Sequence, residues 1–270
     1  FFLRNSLHLD QLCNKKDYLK YVSEITSAAM QKTDGQDTLT KKSFRLPPYV
    51  DDVARVELRE TIYTELIKKK RLVDDEKITL GRGGALPRTK CIKEKNAFYI
   101  IGLPASGKSE VSNILSDEFG AIILDSDFAK RKFPEYAAPF SASVLHEESS
   151  IVTFGGKGEF AQEPSVLQYA VQGGYNIVIP KIGDVLSKVT DFSNALVKGG
   201  YRVHLVLVRL DREKATQRAV FRFIKTKRYV PLQLIFDVYG NDPTITFFDL
   251  MLQDQAPFKS YTLISSDVPK

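Results

Sequence analysis

An eight-residue segment of this sequence has the composition of a phosphate-binding loop. It reads Gly102-Leu103-Pro104-Ala105-Ser106-Gly107-Lys108-Ser109 and fits the pattern G-x-x-x-x-G-K-[ST] without a mismatch. Glycines let backbone N–H groups surround phosphate oxygens, and a helix that begins at such a loop directs its positive end at the same oxygens. We expect Lys108 to reach the phosphates of a bound nucleotide and the Ser109 hydroxyl to ligate Mg²⁺. A glycine-rich turn with an incidental lysine is the alternative.

Two acidic residues follow the next apolar segment. Ile122-Ile123-Leu124 leads directly into Asp125-Ser126-Asp127. In phosphoryl transfer one carboxylate can accept the proton of the attacking hydroxyl, and the other can hold a Mg²⁺-bound water or orient the loop. A solvated loop is the alternative interpretation. The position of the pair, just past the strand that follows the phosphate loop, favours the catalytic one.

Strand and helix patterns alternate from residue 96 onward, and these elements must position both groups. Strands are predicted at 97–101, 121–124, 175–179 and 203–208, and helices at 108–119, 166–172, 184–197 and 212–225. Such alternation predicts an α/β fold in which right-handed crossovers build a parallel sheet with flanking helices. Ligands of these sheets bind beyond the carboxyl ends of the strands, where the phosphate loop and the acidic pair both lie.

Residues 1–92 differ in pattern from the rest and are predicted to form a helical N-terminal extension, followed by a second domain at 93–270. Segments 10–30 and 51–72 have helical periodicity, with Val53, Val56, Tyr63, Leu66 and Ile67 as the apolar positions of the second. A glycine-rich break follows at 81–84. The extension could be a helical cap, an inhibitory arm or a partner-binding surface, and the sequence does not choose among these.

The composition limits the classes of partner that we expect for this protein. No stretch approaches the ~20 apolar residues that span a bilayer, so no membrane partner is expected. The two cysteines, Cys13 and Cys91, make neither a disulfide framework nor a metal motif. The net charge of +6 fits an anionic phosphorylated substrate as well as it fits nucleic acid, and nucleic acid is not the partner we expect.

Several further segments resemble the zeta-toxin-like kinases. The stretch from Leu124 to Lys130, followed by Phe133-Pro134-Glu135-Tyr136, is similar to that family's D-x-D-x-x-[KR]-x-x-H-P-x-[YF] pattern. Segment 146–150 resembles its H-x-E motif, and 172–179 resembles its G-Y-N-hydrophobic strand. Arg218, Arg222 and segment 227–231 resemble its arginine lid. The resemblance covers about residues 96–231.

The resemblance implies a P-loop kinase that moves the γ-phosphate of ATP, or GTP, with Mg²⁺, to a hydroxyl of a small molecule, typically UDP-N-acetylglucosamine. It implies Asp127 as general base beside Lys108, and Arg222 and Arg228 as the arginines that close over the γ-phosphate. The predicted substrate contacts are Asp125, Lys130, Arg218 and an acidic residue that could be Glu147, Glu148 or Glu163, of which we select Glu148. A nucleotide-sugar or a related nucleotide is the expected acceptor.

The same resemblance implies a protein partner of the antitoxin or chaperone kind, and a location in the bacterial cytoplasm or, for a delivered effector, in a host cell. Two departures bear on the acceptor. Phe133 stands where the family has His, and Pro180-Lys181-Ile182 stands where it often has Glu-Gly-Thr. The cationic Lys181 suggests a more anionic substrate than the family's usual one.

Two other functions compete with the kinase hypothesis. A P-loop ATPase coupled to nucleic-acid or protein binding would need coupling motifs that we cannot place in the sequence. A non-catalytic interaction module with a vestigial loop is disfavoured by the intact Lys108 and Ser109.

Overall fold

A five-stranded, wholly parallel sheet forms the centre of the protein, in a computed structural model that describes residues 2–13, 17, 20–24, 37–137, 144–226 and 230–267. The strands are β1 (Asn96–Ile101), β2 (Ile122–Ile123), β3 (Ile177–Pro180), β4 (Arg202–Arg209) and β5 (Phe258–Ser265). Their order across the sheet is β2-β3-β1-β4-β5. The predicted α/β fold with a parallel sheet is confirmed, and β5 adds a fifth strand parallel to β4.

Helices flank the sheet and precede it. They are α1 (Asp10–Cys13), α2 (Asp52–Lys68), α3 (Lys108–Glu118), α4 (Ser126–Lys130), α5 (His146–Phe154), α6 (Val166–Gly173), α7 (Leu186–Lys198), α8 (Arg212–Thr226) and α9 (Asp242–Met251). Single 3₁₀ turns occur at Lys42–Phe44, Asp75–Lys77, Pro134–Ala137 and Gly158–Phe160, and π-helical turns at Phe2–Ser6 and Leu234–Tyr239.

The strands β1 and β3 are largely apolar, as is typical of parallel sheets that helices cover on both faces. All six residues of β1 are buried, and so are the first three of β3. One continuous apolar core contains these strands together with α9, which contributes Phe247 and Leu250.

The strand order decides which loops meet at the carboxyl edge. β3 lies between β2 and β1, so the segment after β3 is flanked by the acidic pair on one side and the phosphate loop on the other. Backbone hydrogen bonds fix this arrangement: Lys181 N–H donates to Ile100 O at 2.8 Å, and Gly102 N–H donates to Ile182 O at 2.9 Å.

Helix α2, in the segment that precedes the sheet, packs into the same core as the sheet. Leu58, Ile62 and Leu66 are buried there. The predicted apolar face of this helix is wrong at Val53, which is 70% exposed, whereas Arg55 and Arg59 are buried. The apolar periodicity did not predict the buried face because that face contains two arginines. Their charges are paired with buried carboxylates, and a pattern of apolar residues cannot show such pairs. Of the predicted helix at 10–30, residues 14–16, 18–19 and 25–30 lie outside the described residues.

None of the helices in the described ranges combines the length and the apolar character that a membrane crossing requires.

Candidate active site

The phosphate loop has the backbone that the glycines of its sequence allow. Gly102 has φ 151° and Gly107, which precedes α3, has φ 98°. A Cβ at Gly102 would lie 2.5 Å from Val208 O and 3.0 Å from Ser106 Oγ, so a side chain there would collide with β4. At Gly107 the nearest atom would be Ser266 Cβ at 3.6 Å, so only the backbone conformation requires glycine there.

Lys108 and two serines belong to the phosphate loop and the first turn of the helix that follows it. Lys108 Nζ donates to Gly102 O and to Leu103 O, both at 2.7 Å, so the ammonium group lies at the centre of the loop. Ser106 Oγ is buried without a hydrogen-bond partner among the described residues. Ser109 is exposed on the first turn of α3. An ammonium, an unpaired hydroxyl and a helix N-terminus in one loop fit a nucleotide phosphate.

A Mg²⁺ ion at this loop would depend on the nucleotide for most of its ligands. Among the described residues there is no group of three or more His, Cys, Asp or Glu side chains that could hold a metal ion alone. Mg²⁺ commonly binds through one or two protein oxygens together with substrate phosphates and waters. The exposed Ser109 hydroxyl fits that role.

The two aspartates after β2 have different surroundings. Asp125 Oδ1 accepts a hydrogen bond from Asp127 N–H at 2.9 Å and so caps the N-terminus of α4. Asp127 lies on the first turn of that helix, half-buried, and its Oδ1 is 3.3 Å from Lys130 Nζ. The cap on Asp125 therefore fixes the turn that presents the Asp127 carboxylate.

Three basic side chains lie around Asp127. Lys130, which is 9% exposed, has its ammonium 3.4 Å from His146 Nδ1 as well as beside Asp127. Partial desolvation and the Lys130 ammonium lower the pKa of His146, while the Asp127 carboxylate acts to raise it. Burial likewise lowers the pKa of Lys181, and the carboxylates of Asp125 and Asp127 oppose that shift. The site thus contains the carboxylates of Asp125 and Asp127 together with the ammonium groups of Lys130 and Lys181.

Glu148 forms hydrogen bonds with residues of the N-terminal segment. Its two oxygens accept from Arg55 Nε at 2.8 Å and Arg55 Nη2 at 2.7 Å, from Arg59 Nη1 at 2.9 Å and from the Thr38 hydroxyl at 2.5 Å. Burial acts to raise the pKa of Glu148, but the bonds from Arg55 outweigh it and the net shift is downward. Glu148 lies two positions after His146, which is about 200° around the helix, so the two side chains face different ways. A substrate contact by Glu148 stays a prediction that requires these bonds to open.

The same cluster contains two further carboxylates. Glu135 Oε1 accepts from Arg55 Nη1 at 2.8 Å, and Glu163 accepts from Arg59 Nη2 at 2.6 Å. We call Arg55, Arg59, Glu135, Glu148 and Glu163 the buried ion cluster. Sequence reasoning missed both arginines, although their four-residue spacing on a helix was a usable signal that they share a face.

The arginines predicted for the lid lie on or after α8. Arg218 Nη2 donates to Ser266 O at 2.7 Å, and Ser266 is also the residue that faces Gly107. Arg218 is therefore near the phosphate loop. Arg222 follows it by one helical turn and is half-buried. Arg228 lies outside the described residues.

Comparison with known proteins gives one family. The family model described as Zeta toxin matches residues 86–246. Among solved structures, a chain from the PezAT chromosomal toxin-antitoxin system of Streptococcus pneumoniae is 20% identical, with 67% of this chain and 71% of that chain covered and a TM-score of 0.46. A gluconokinase from Sinorhizobium meliloti is 14% identical, with 66% and 86% covered and a TM-score of 0.36. No curated protein sequence matches the chain.

Proposed function

This chain belongs to the zeta toxin family, and we propose that it is an ATP-dependent kinase that transfers a phosphoryl group to a hydroxyl of a nucleotide-sugar or related nucleotide. GTP is the other possible donor. One observation carries the proposal. The loop that contains Lys108 follows β1, the Asp127 carboxylate follows β2, and only β3 lies between these two strands. The loop proposed to hold the phosphoryl donor and the proposed proton acceptor therefore lie at the same edge of the sheet.

Each residue would have a distinct task. The N–H groups of residues 102–109 and the Lys108 ammonium would hold the phosphates, and the Ser109 hydroxyl would ligate Mg²⁺. The bound Mg²⁺–nucleotide would supply the phosphoryl group and part of the charge compensation. Asp127 would accept the proton of the acceptor hydroxyl. Arg222 and Arg228 would close over the site, neutralise developing charge and exclude water.

The acceptor side is proposed from the remaining residues. Lys130 stands next to Asp127 and is suited to contact the acceptor directly. Asp125 would act through the helix cap that it already makes. Arg218, near Ser266, is better placed for the nucleotide than for the acceptor. Glu148 would reach an acceptor only after the buried ion cluster opened.

Acceptor-dependent ADP release tests the kinase function. Purified protein would be given ATP and Mg²⁺ with a panel of nucleotide-sugars, nucleotides and simple alcohols, and ADP would be measured by a coupled assay. We expect release that depends on an acceptor and is lost in Lys108→Ala and Asp127→Ala. Equal hydrolysis with and without every acceptor would instead identify an ATPase and refute the kinase.

Membership in this family also leads us to propose an inhibitory protein partner of the antitoxin or chaperone kind. Such a partner should copurify with the chain and suppress its ADP release. Candidate proteins encoded next to this one can be co-expressed with it. Full activity in the presence of each of them would count against the proposal.

A further inference from the structure

Helix α8, which carries two of the arginines predicted for the lid, packs against the phosphate loop on one side. Its buried Ala215 and Ala219 form an apolar cluster with Leu103, the second residue of that loop. The carbonyl oxygen of Leu103 also accepts a hydrogen bond from Lys108 Nζ at 2.7 Å. The residue that packs with α8 is therefore in direct contact with the ammonium group that is proposed to hold the phosphates.

A second segment of the chain packs on another side of the same helix. We call residues 2–13 the N-terminal strap; it consists of the first π-helical turn, α1 and the residues between them. The strap contributes three leucines that are at most 3% exposed, Leu7, Leu9 and Leu12. They form an apolar cluster with the fully buried Val220 of α8. Gln217 Nε2 of α8 also donates to Leu7 O at 2.8 Å, so a polar contact joins the strap to the helix as well.

The two sides of α8 face different ways. Residues five positions apart lie about 140° apart around an α-helix, so Val220 and Ala215 pack in different directions. Val220 and the partly buried Ile224 contribute to the strap side, and both are larger than the alanines on the loop side. Apolar stabilisation grows with the area removed from water. The strap is therefore a principal apolar anchor of α8, because the residues of this helix that the structure describes pack in these two clusters and not in the core that contains the sheet.

Polar contacts tie α8 to the segment after β5. Lys214 Nζ forms an ion pair with Asp267 at 2.6 Å, but the two side chains are 48% and 43% exposed, and exposed pairs contribute little. Arg218 Nη2 donates to Ser266 O at 2.7 Å. If Arg218 turns to a nucleotide, that bond is given up, and the strap is left to hold the helix.

We propose that the N-terminal strap positions α8 against the phosphate loop, so that the affinity for nucleotide depends on leucines on the far side of the helix. Arg218 and Arg222 lie four residues apart and share one face of α8, so a shift of the helix moves both together. The strap is then a supporting cap of the nucleotide site and not an inhibitory arm. This role goes beyond the proposed kinase function and rests on it only for a kinetic readout.

Binding of a non-hydrolysable ATP analogue with Mg²⁺ tests this role without any acceptor. We expect Leu7→Ala to weaken binding about fivefold, and Leu7→Met, which keeps the apolar volume, to retain it. Gln217→Ala, which removes the bond to Leu7 O and keeps the leucines, should weaken binding by a smaller factor. The matched control is Leu66→Ala, at a similarly buried leucine of α2 in the central core. It should lower the stability of the protein and leave the affinity for the analogue unchanged.

Amide hydrogen exchange locates the effect, because exchange across α8 should be faster in Leu7→Ala than in wild type or in Leu66→Ala. In acceptor-dependent ADP release, Leu7→Ala should raise the KM for ATP more than it lowers kcat, since the proposed base Asp127 belongs to α4 and not to α8.

Unchanged affinity in Leu7→Ala, or equal losses in Leu7→Ala and Leu66→Ala, would overturn the positioning role. Tighter analogue binding or a higher kcat in Leu7→Ala would also overturn it and would identify an inhibitory arm. If no acceptor supports ADP release, the kinase function fails, and analogue binding and amide exchange alone decide the role of the strap.

Discussion

Arg55 and Glu148 form a buried bidentate ion pair, with donor–acceptor distances of 2.8 and 2.7 Å and no exposed surface on either side chain. They are 93 residues apart. Arg55 belongs to α2, before the phosphate loop, and Glu148 belongs to α5, which also begins with His146. The pair therefore attaches the N-terminal helix to the helix that borders Asp127, and the extension becomes part of the support of the candidate site.

Loss of the Glu148 charge should destabilise the protein. In Glu148→Gln, Arg55 and Arg59 keep their charges in a buried position without full compensation, and breaking such a pair costs about 3–5 kcal/mol. We expect the free energy of unfolding in urea to fall by that amount at neutral pH. Glu147→Gln changes the neighbouring, exposed carboxylate and should leave the free energy of unfolding within about 0.5 kcal/mol of the wild-type value. Equal losses in both variants would contradict the buried ion cluster as a source of stability.

The same carboxylate predicts a pH dependence. The pKa of Glu148 is lowered in the folded protein from an ordinary value of 4.5. The unfolded chain therefore binds the proton first as pH falls, so the stabilisation is complete above pH 4.5 and is lost progressively as pH drops through the folded-state pKa. Urea unfolding between about pH 7 and pH 4 should show that the difference in unfolding free energy between wild type and Glu148→Gln becomes smaller at the acid end. A difference of constant size would refute the linkage.

The sheet and its loops could be predicted because each depends on local sequence. β1 and β3 are short apolar runs bounded by glycine or polar residues, and the phosphate loop is a contiguous motif. β5 was not predicted as a strand of the sheet. Its residues are largely exposed or half-buried at the sheet edge, so it lacks the continuous apolar run that marks a central strand.

The acceptor side could be predicted only in part, because its contacts join residues that are distant in sequence. Arg55 meets Glu148 across 93 residues, and no local pattern encodes that pairing. Lys181 stands out in the sequence because it differs from the family motif. Its place between Asp125 and the phosphate loop follows from the strand order, in which β3 lies inside the sheet, and that order is a property of the whole fold.

Gly102→Ala should weaken both the fold and nucleotide binding. A side chain at positive φ costs about 1–2 kcal/mol, and the added Cβ would also lie 2.5 Å from Val208 O, a backbone atom that cannot move aside. Gly81→Ala is the matched control because Gly81 has φ 85° and no atom within 4 Å of the added carbon. We expect Gly102→Ala to lose at least about 1 kcal/mol more unfolding free energy than Gly81→Ala, and to lose affinity for an ATP analogue. Equal unfolding free energies would show that β4 yields to the side chain.

Asp127→Asn should separate chemistry from nucleotide binding. The amide keeps the size of the side chain and cannot accept a proton from the acceptor hydroxyl, so kcat for acceptor-dependent ADP release should fall about 10²–10⁴-fold. The affinity for an ATP analogue should change little, because the phosphate loop follows β1 whereas Asp127 follows β2. Asp191→Asn, at an exposed aspartate of α7, should retain wild-type kcat. Asp127 also lies beside Lys130, and the loss of that ion pair should be visible as a small change in unfolding free energy. A kcat within about twofold of wild type would exclude Asp127 as the base, since general acid–base catalysis contributes far more than that.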